Sequence, residues 1–431
     1  MSINLPKQLR HTTIILWLIV FMFLADGANS VLRNLGTGFF RVSIFVRAIV
    51  QLYFVLLLLN KAIRKNVIIF ILIFYTIFGI GTLFSIGVLY RLSEYDFLGN
   101  FAIVNKMLFF FISWEVYRHY FSRREEIRRF VKLFELLFLT QAVVIIFAFL
   151  FNLDILAAYY SPARGVWRFG YQGLIPAQNE IAPFLIIAFF YFLYKAHTTG
   201  QDVVKLLIIT FAGVLTGTKA VLIILAVFIL YLVIWLFPII RLIIRRNHLL
   251  LFLIILLVIV PVSVIGYDHL KSRLIVTIDY FSSMVSRQGI ISAIFTGRNF
   301  KIRNFVNHIL PKFTIANYLF GGHNLERFST ELDLIDVFAR FGLIGGSIFY
   351  YYYIKILLTS GVSVDVTRFL FVICWITISA FAGHIVFSAI IGTYLPFLVI
   401  EFSHNKAKNR KLKWLCKHSS VNSVRSILKT H

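Results

Sequence analysis

The chain has 431 residues, of which 60% are hydrophobic and only 14% charged, with a mean hydropathy of +0.86. Soluble domains average about 25% charged residues, so water is not its main solvent; its net charge of +25 is not gathered with stacking aromatics on one soluble segment, which speaks against a nucleic-acid partner. The two cysteines, Cys374 and Cys416, lie far apart and offer neither a disulfide framework nor zinc-ligand spacing.

From the N-terminus onward, apolar runs long enough to span a bilayer recur. The first, 12–30, lacks a small-residue cleavage site and reads as a retained span. Further spans fall at 39–60, 67–89, 102–119, 133–151 and 175–195, then at 206–217, 219–237 and 249–266, and finally at 335–358, 367–384 and 386–402. The expected fold class is all-α: a polytopic membrane helix bundle of about 12 transmembrane helices, one membrane domain over 1–431.

The basic residues orient this bundle. Six Lys and Arg lie between Arg118 and Lys132 and eight between Lys406 and Lys429, with smaller groups at Lys61–Lys65 and Arg241–Arg246. By the positive-inside rule these segments are cytoplasmic, which puts both termini and the basic tail 403–431 inside and makes anionic membrane lipid a contact. The expected location is a bacterial cytoplasmic membrane. Two loops then fall on the outer side, 152–174 and the large extracytoplasmic segment 267–334, the only one big enough for a subdomain. Within the latter, Leu274, Ile278, Phe281 and Val285 recur at helical spacing, as in a helix lying on a membrane surface.

Two turns are tight. Only about 35 residues separate the cytoplasmic loops at Lys195–Lys205 and Arg241–Arg246, so two crossings there must be short or must turn within the outer leaflet. Thr216-Gly217-Thr218-Lys219 is the natural turn, and Gly383-His384 marks a second one. Backbone that breaks inside a bilayer must line a protein-enclosed cavity, because lipid cannot satisfy its polar groups.

Four clusters face the same side: Arg164 to Asn179, including Arg168; Lys219; Thr296-Gly297-Arg298; and Gly321-Gly322-His323-Asn324 followed by Glu331, Asp333, Asp336 and Gly342-Leu343-Ile344-Gly345. Arg offers a planar fork to phosphate oxygens and Lys a compact charge, so the first three could hold a pyrophosphate and stabilise the charge it acquires on leaving. A carboxylate or imidazole from the fourth could deprotonate a sugar hydroxyl. Plainer roles stand beside these. Lys219 could snorkel to headgroups, and Arg164 and Arg168 could be solvated. Thr330 with Asp333 resembles a helix-capping box, Asp336 and Arg340 could pair along a helix surface, and His323 could be an ordinary loop histidine. His384 reads as packing or cavity lining. The charges Arg41, Arg47, Lys106 and Glu115 within spans should face the bundle interior.

At these clusters the chain resembles the O-antigen polymerase and O-antigen ligase superfamily of bacterial membrane proteins, over roughly residues 160–400. The resemblance rests on the Arg-bearing loop leading to Asn179, the Thr-Gly-Thr-Lys turn, Thr296-Gly297-Arg298 and the Gly-rich segment with Gly342–Gly345. It implies a glycosyltransferase without metal or cofactor, acting on undecaprenyl-pyrophosphate-linked glycans outside the cytoplasmic membrane, with flippase and chain-length regulator proteins as partners. The resemblance implies substrate binding by Arg168, Asn179, Lys219 and Arg298; the clusters themselves add Arg164 and Asp336 as candidate substrate-binding residues, and Glu331, His323 and Asp333 as candidate bases. Lys219 stands where the family usually has Arg. Glu331-Leu332 stands where ligases keep His-Asn, and His323-Asn324 lies eight residues too early to fill that place. These departures favour a polymerase making O-antigen, capsular or exopolysaccharide. A ligase, or a non-enzymatic lipid-glycan flippase or transporter, is the alternative; the absence of related halves and the one-sided turns weigh against transport.

Overall fold

The structure, a computed structural model, describes residues 7–35, 42–60, 65–86, 88–91, 95–161, 165–166, 168–199, 202–231, 267–359, 366–381 and 383–403. The first five helices are α1 (Lys7–Asn34), α2 (Val42–Asn60), α3 (Lys65–Ser85), α4 (Phe97–Tyr120) and α5 (Arg124–Leu150). A two-residue hairpin, β1 (Tyr160–Ser161) with β2 (Gly165–Val166), interrupts the loop before α6 (Gln178–Thr199), α7 (Val203–Leu215) and α8 (Lys219–Tyr231). The described chain resumes with α9 (Tyr267–Gln288), α10 (Ile290–Phe295), α11 (Arg298–Asn304) and α12 (Ile315–Phe320), then α13 (Asp333–Thr359), α14 (Val366–Phe381) and α15 (Ala389–Ser403).

Seven of these, α1 to α6 and α13, are long and apolar enough to cross a membrane. Four more, α7, α8, α14 and α15, are apolar but shorter. Of the twelve runs expected from the sequence, 249–266 lies outside the described residues, as do Cys416 and the basic tail.

Burial says which solvent these helices meet. On α2, Phe45, Ile49, Leu52, Leu56 and Leu59 recur every three or four residues and are all exposed, while Val50, Phe54, Leu57 and Leu58 on the opposite face are buried. A helix apolar on both faces, with one face outward, is solvated by hydrocarbon. At the centre, α6 is buried on all sides: every residue from Phe184 to Leu193 is at most 1% exposed. Helices α5, α6 and α15 meet there through aromatic rings, Phe134 stacking on Phe397 at 4.2 Å and Tyr394 packing edge-on against Phe184 at 4.6 Å. One interior pair is of the kind expected of intramembrane ionisable groups: Arg47 of α2 binds Asp26 of α1. Glu115 is buried, Lys106 lines a cavity described below, and Arg41 lies outside the described residues.

One kink organises the site end. Gly342 inside α13 has φ 65° and ψ −171°, outside the helical range. The break diverts the Ala339 and Arg340 carbonyls to the N–H groups of His323 (3.1 Å) and Gly322 (2.9 Å). Backbones meet without side chains between them: a Cβ on Gly322 would lie 2.0 Å from the Gly81 oxygen of α3, and one on Gly342 2.3 Å from the Leu319 backbone. The Gly-rich segment and the Gly-Leu-Ile-Gly turn thus dock directly on each other.

Candidate functional site

Three of the cations singled out in the sequence come together. The Thr216–Thr218 turn between α7 and α8 reverses the chain at Gly217, with φ 63°, and sets Lys219 at the first position of α8. The Gly217 carbonyl accepts from the Arg168 guanidinium at 2.9 Å, which fixes the α5–α6 loop beside the turn. Helix α9 closes over both. Its Thr277 hydroxyl accepts from the Phe169 N–H at 2.7 Å, and its Arg273 binds Asn152 and Asp154, each at 2.5 Å. The same face of α9 presents the Phe281 ring, with Arg168 4.8 Å and Lys219 4.6 Å from its centroid. Thus three of the four residues expected on a membrane-facing stripe, Leu274, Ile278 and Val285, are exposed, while Phe281 turns inward to the cations.

Arg298 joins from the other side. Thr296 and Gly297 both take left-handed conformations, φ 55° and 79°, producing the sharp corner from α10 to α11. Lys219 reaches this corner, donating to the Ala293 carbonyl and to Thr296 Oγ1 at 3.2 Å. The charges of Arg168 and Arg298 both act on Lys219 and on the nearby Tyr159, over whose ring Arg168 also lies. Glu331 lies at the edge of this group, 2.5 Å from Lys301 and 3.4 Å from Arg298. Burial pushes its carboxyl up, but Lys301 and then Arg298 outweigh that and hold it below the usual carboxylate range. Two cations, Lys301 and Arg298, therefore flank the one carboxylate, and Arg298 also acts on Lys219, so the group carries more positive than negative charge, an arrangement that a polyanion would relieve.

Beside the cluster opens a cavity of about 350 Å³. Lys106 of α4, Asn179 and Glu180 at the start of α6, Glu326 and Ser329 of the 321–332 loop, Asp336 of α13 and His384 supply its polar lining. His384 connects the two places, since Asp336, Glu331, Arg298 and Lys301 all act on it. Of the sequence-derived candidates, Arg168, Lys219, Arg298 and Glu331 thus lie in one group and Asn179 and Asp336 in the adjoining cavity; Arg164 lies outside the described residues.

His323 and Asp333 differ in setting. His323 is fully buried, its Nε2 2.9 Å from the Phe328 carbonyl and its Nδ1 2.6 Å from the Tyr90 hydroxyl. A carbonyl only accepts, so Nε2 carries the proton and Nδ1 accepts from Tyr90, leaving no lone pair for a substrate. Burial pushes the imidazole down to about 4, consistent with a permanently neutral ring. Asp333 is also fully buried, and its Oδ2 accepts the Ile385 and Val386 N–H groups at 2.8 and 2.9 Å. It clamps the turn after α14 rather than forming a capping box with Thr330, whose hydroxyl instead donates to Asp336 at 2.8 Å. Asp336 does not pair with Arg340 on a helix surface: both are buried. Its two oxygens accept from the Thr330 N–H and hydroxyl, the Ser329 hydroxyl and the Glu331 N–H. Those bonds hold Glu331 at φ 59°, a conformation an L-residue adopts only under such constraint.

Sequence reasoning did not single out Lys301, Glu180 or Glu326, none of which lies in a recognisable motif; Lys106 was detectable as a charge within a span. Among the described residues no group of three or more His, Cys, Asp or Glu is placed to hold a metal ion. Compared with family models, with curated proteins and with solved structures, the chain matches none.

Proposed function

We infer that this chain is a membrane glycosyltransferase that lengthens a polysaccharide from oligosaccharide units carried on a polyprenyl pyrophosphate, on the face of a bacterial cytoplasmic membrane away from the cytoplasm. The observation that carries the reading is the convergence of three cations from separate segments beside a polar cavity: Arg168 and Lys219 share the Phe281 ring, and the charge of Arg298 acts on Lys219. A cation group in surroundings of low dielectric stabilises a pyrophosphate most when that group gains charge as a leaving group. In the reaction a hydroxyl oxygen of the acceptor sugar bonds to the anomeric carbon of the donor. The bond from that carbon to the pyrophosphate oxygen breaks, and the hydroxyl proton passes to a base. Glu331 is the candidate base, being ionised and about a third exposed, whereas His323 and Asp333 are enclosed.

The test is the polysaccharide ladder made in a strain lacking the native gene, with membrane abundance checked by immunoblot. Arg168→Ala and Arg298→Ala should each reduce polymer formation roughly 10²–10³-fold at unchanged abundance. Glu331→Gln should leave single repeat units on the lipid carrier. Full-length polymer from all three variants would overturn the reading.

A further inference from the structure

A second cavity, of about 380 Å³, lies on the other side of the 321–332 loop. Leu325, Glu326 and Ser329 of that loop line the first cavity, while Arg327 and Phe328 line the second, so one stretch of backbone walls off both. The remaining lining comes from Leu89 and Tyr90 in the turn after α3, from His308 and Ile309 in a π-helical turn at Phe305–Ile309, and from Lys312. The first cavity mixes acids and bases; the second is lined by Arg327, Lys312 and His308 with no carboxylate.

The wall behind it adds to the positive potential. Arg340 is fully buried, donates to the Tyr95 hydroxyl and to the His323 carbonyl, and leaves Nε and one terminal nitrogen without a partner among the described residues. No described carboxylate forms an ion pair with it. Tyr90, between the cavity and this arginine, feels the charges of both Arg327 and Arg340. The segments that line it also carry exposed apolar side chains: Val88, Val306 and Ile315, close in sequence to Leu89, His308 and Lys312. Basic side chains set among outward-facing apolar ones suit an anion attached to a hydrocarbon chain better than a free anion.

We propose that this second cavity is a binding site for the phosphate or pyrophosphate head of a membrane lipid, separate from the Arg168–Lys219–Arg298 group. The site stands whether or not the chain transfers sugars. If it does, a second lipid-borne substrate can be held one loop away from the first.

The test uses the full chain in a neutral detergent, with bound lipid counted by native mass spectrometry. The probes are a short polyprenyl pyrophosphate, phosphatidylglycerol and inorganic pyrophosphate. In an Arg168→Ala/Lys219→Ala background, which disables the first site, polyprenyl pyrophosphate should still bind. Adding Lys312→Gln and Arg327→Gln should weaken that binding roughly 100-fold, about tenfold per charge. Lys312→Arg with Arg327→Lys should keep it, separating charge from folding. Should the background variant not fold, Lys312→Gln/Arg327→Gln in the wild-type chain should lose one equivalent of bound lipid. Competition by phosphatidylglycerol at equal concentration would assign the site to ordinary headgroups, and none would assign it to the polyprenyl carrier; either outcome upholds the lipid-phosphate site. Unchanged binding after removal of both charges would overturn it, as would complete displacement by inorganic pyrophosphate at equal concentration.

Discussion

Two polar groups lie close together in this molecule and are built on opposite principles. In the first, Arg168 and Lys219 share the face of Phe281 with Arg298 close enough for its charge to act on Lys219, and the cations exceed the acids near them. In the second, His323, Asp333 and Asp336 are at most 1% exposed; His323 and Asp336 spend their hydrogen-bonding capacity on the chain itself, and Asp333 binds the chain through Oδ2. The difference separates recognition from support. Like charges held near one another are costly to the fold and persist where a ligand compensates them, whereas a buried carboxylate ringed by N–H and O–H donors stabilises a loop and has little left for a ligand. Glu331 stands at the junction. Its backbone belongs to the supporting group through Asp336 and Ser329, and its side chain to the cations through Lys301.

The sharpest way to break this contrast is to remove a supporting acid. Asp336→Ala removes the carboxylate acceptor of two hydroxyls and of the Thr330 N–H, leaving the Glu331 N–H only its bond to Ser329, and each buried donor left unmade costs about 1–3 kcal/mol. The variant should lose roughly 4 kcal/mol and most of its monodisperse peak in detergent chromatography, while Arg298→Ala should lose about 1 kcal/mol. Equal thermal stability of the two variants would dissolve the distinction.

How much of this was legible beforehand follows the range of the interactions. The cations could be found because turn chemistry marks their places: Thr-Gly precedes both Arg298 and, with one intervening Thr, Lys219, and local backbone sterics create those corners. The acids misled because their local pattern was only local. Thr330 and Asp333 have capping-box spacing, yet the partners of Asp333 lie 52 and 53 residues away, across a turn that no short-range rule connects to it. Gly342 likewise sits in a run that reads as uninterrupted helix, and its kink follows from docking against Leu319 and Phe320. The stripe on α9 placed three residues outward and missed Phe281, whose inward turn depends on the α5–α6 loop.

A smaller effect tests His323 as a supporting group. An unfolded histidine titrates near 6.5, and here the folded one titrates near 4. Between those values only the unfolded chain takes up the proton. The histidine's contribution is therefore complete above about pH 6.5 and declines as the pH falls toward 4, by roughly 3 kcal/mol in all. Melting temperature in detergent should drop over that window in the wild type and much less in His323→Gln. Parallel curves for the two proteins would remove the neutral, buried assignment.

The smallest expected effect probes the recognising group from within. The contacts of Lys219 include the face of Phe281, the Ala293 carbonyl and the Thr296 hydroxyl. Each asks for a cationic donor, and none requires an ammonium in particular. Arginine keeps the charge, offers more N–H groups and stacks on an aromatic face at least as well. Lys219→Arg should therefore remain within about threefold of wild-type polymer yield, a cost under about 1 kcal/mol. Lys219→Met has a similar length and apolar stem but no charge, and should fall roughly 100-fold while its membrane abundance holds. The pair isolates charge from shape at one position. Equal yields from the arginine and methionine variants would mean that Lys219 serves only to pack the α8 start against α10, and the recognising group would shrink to its two arginines.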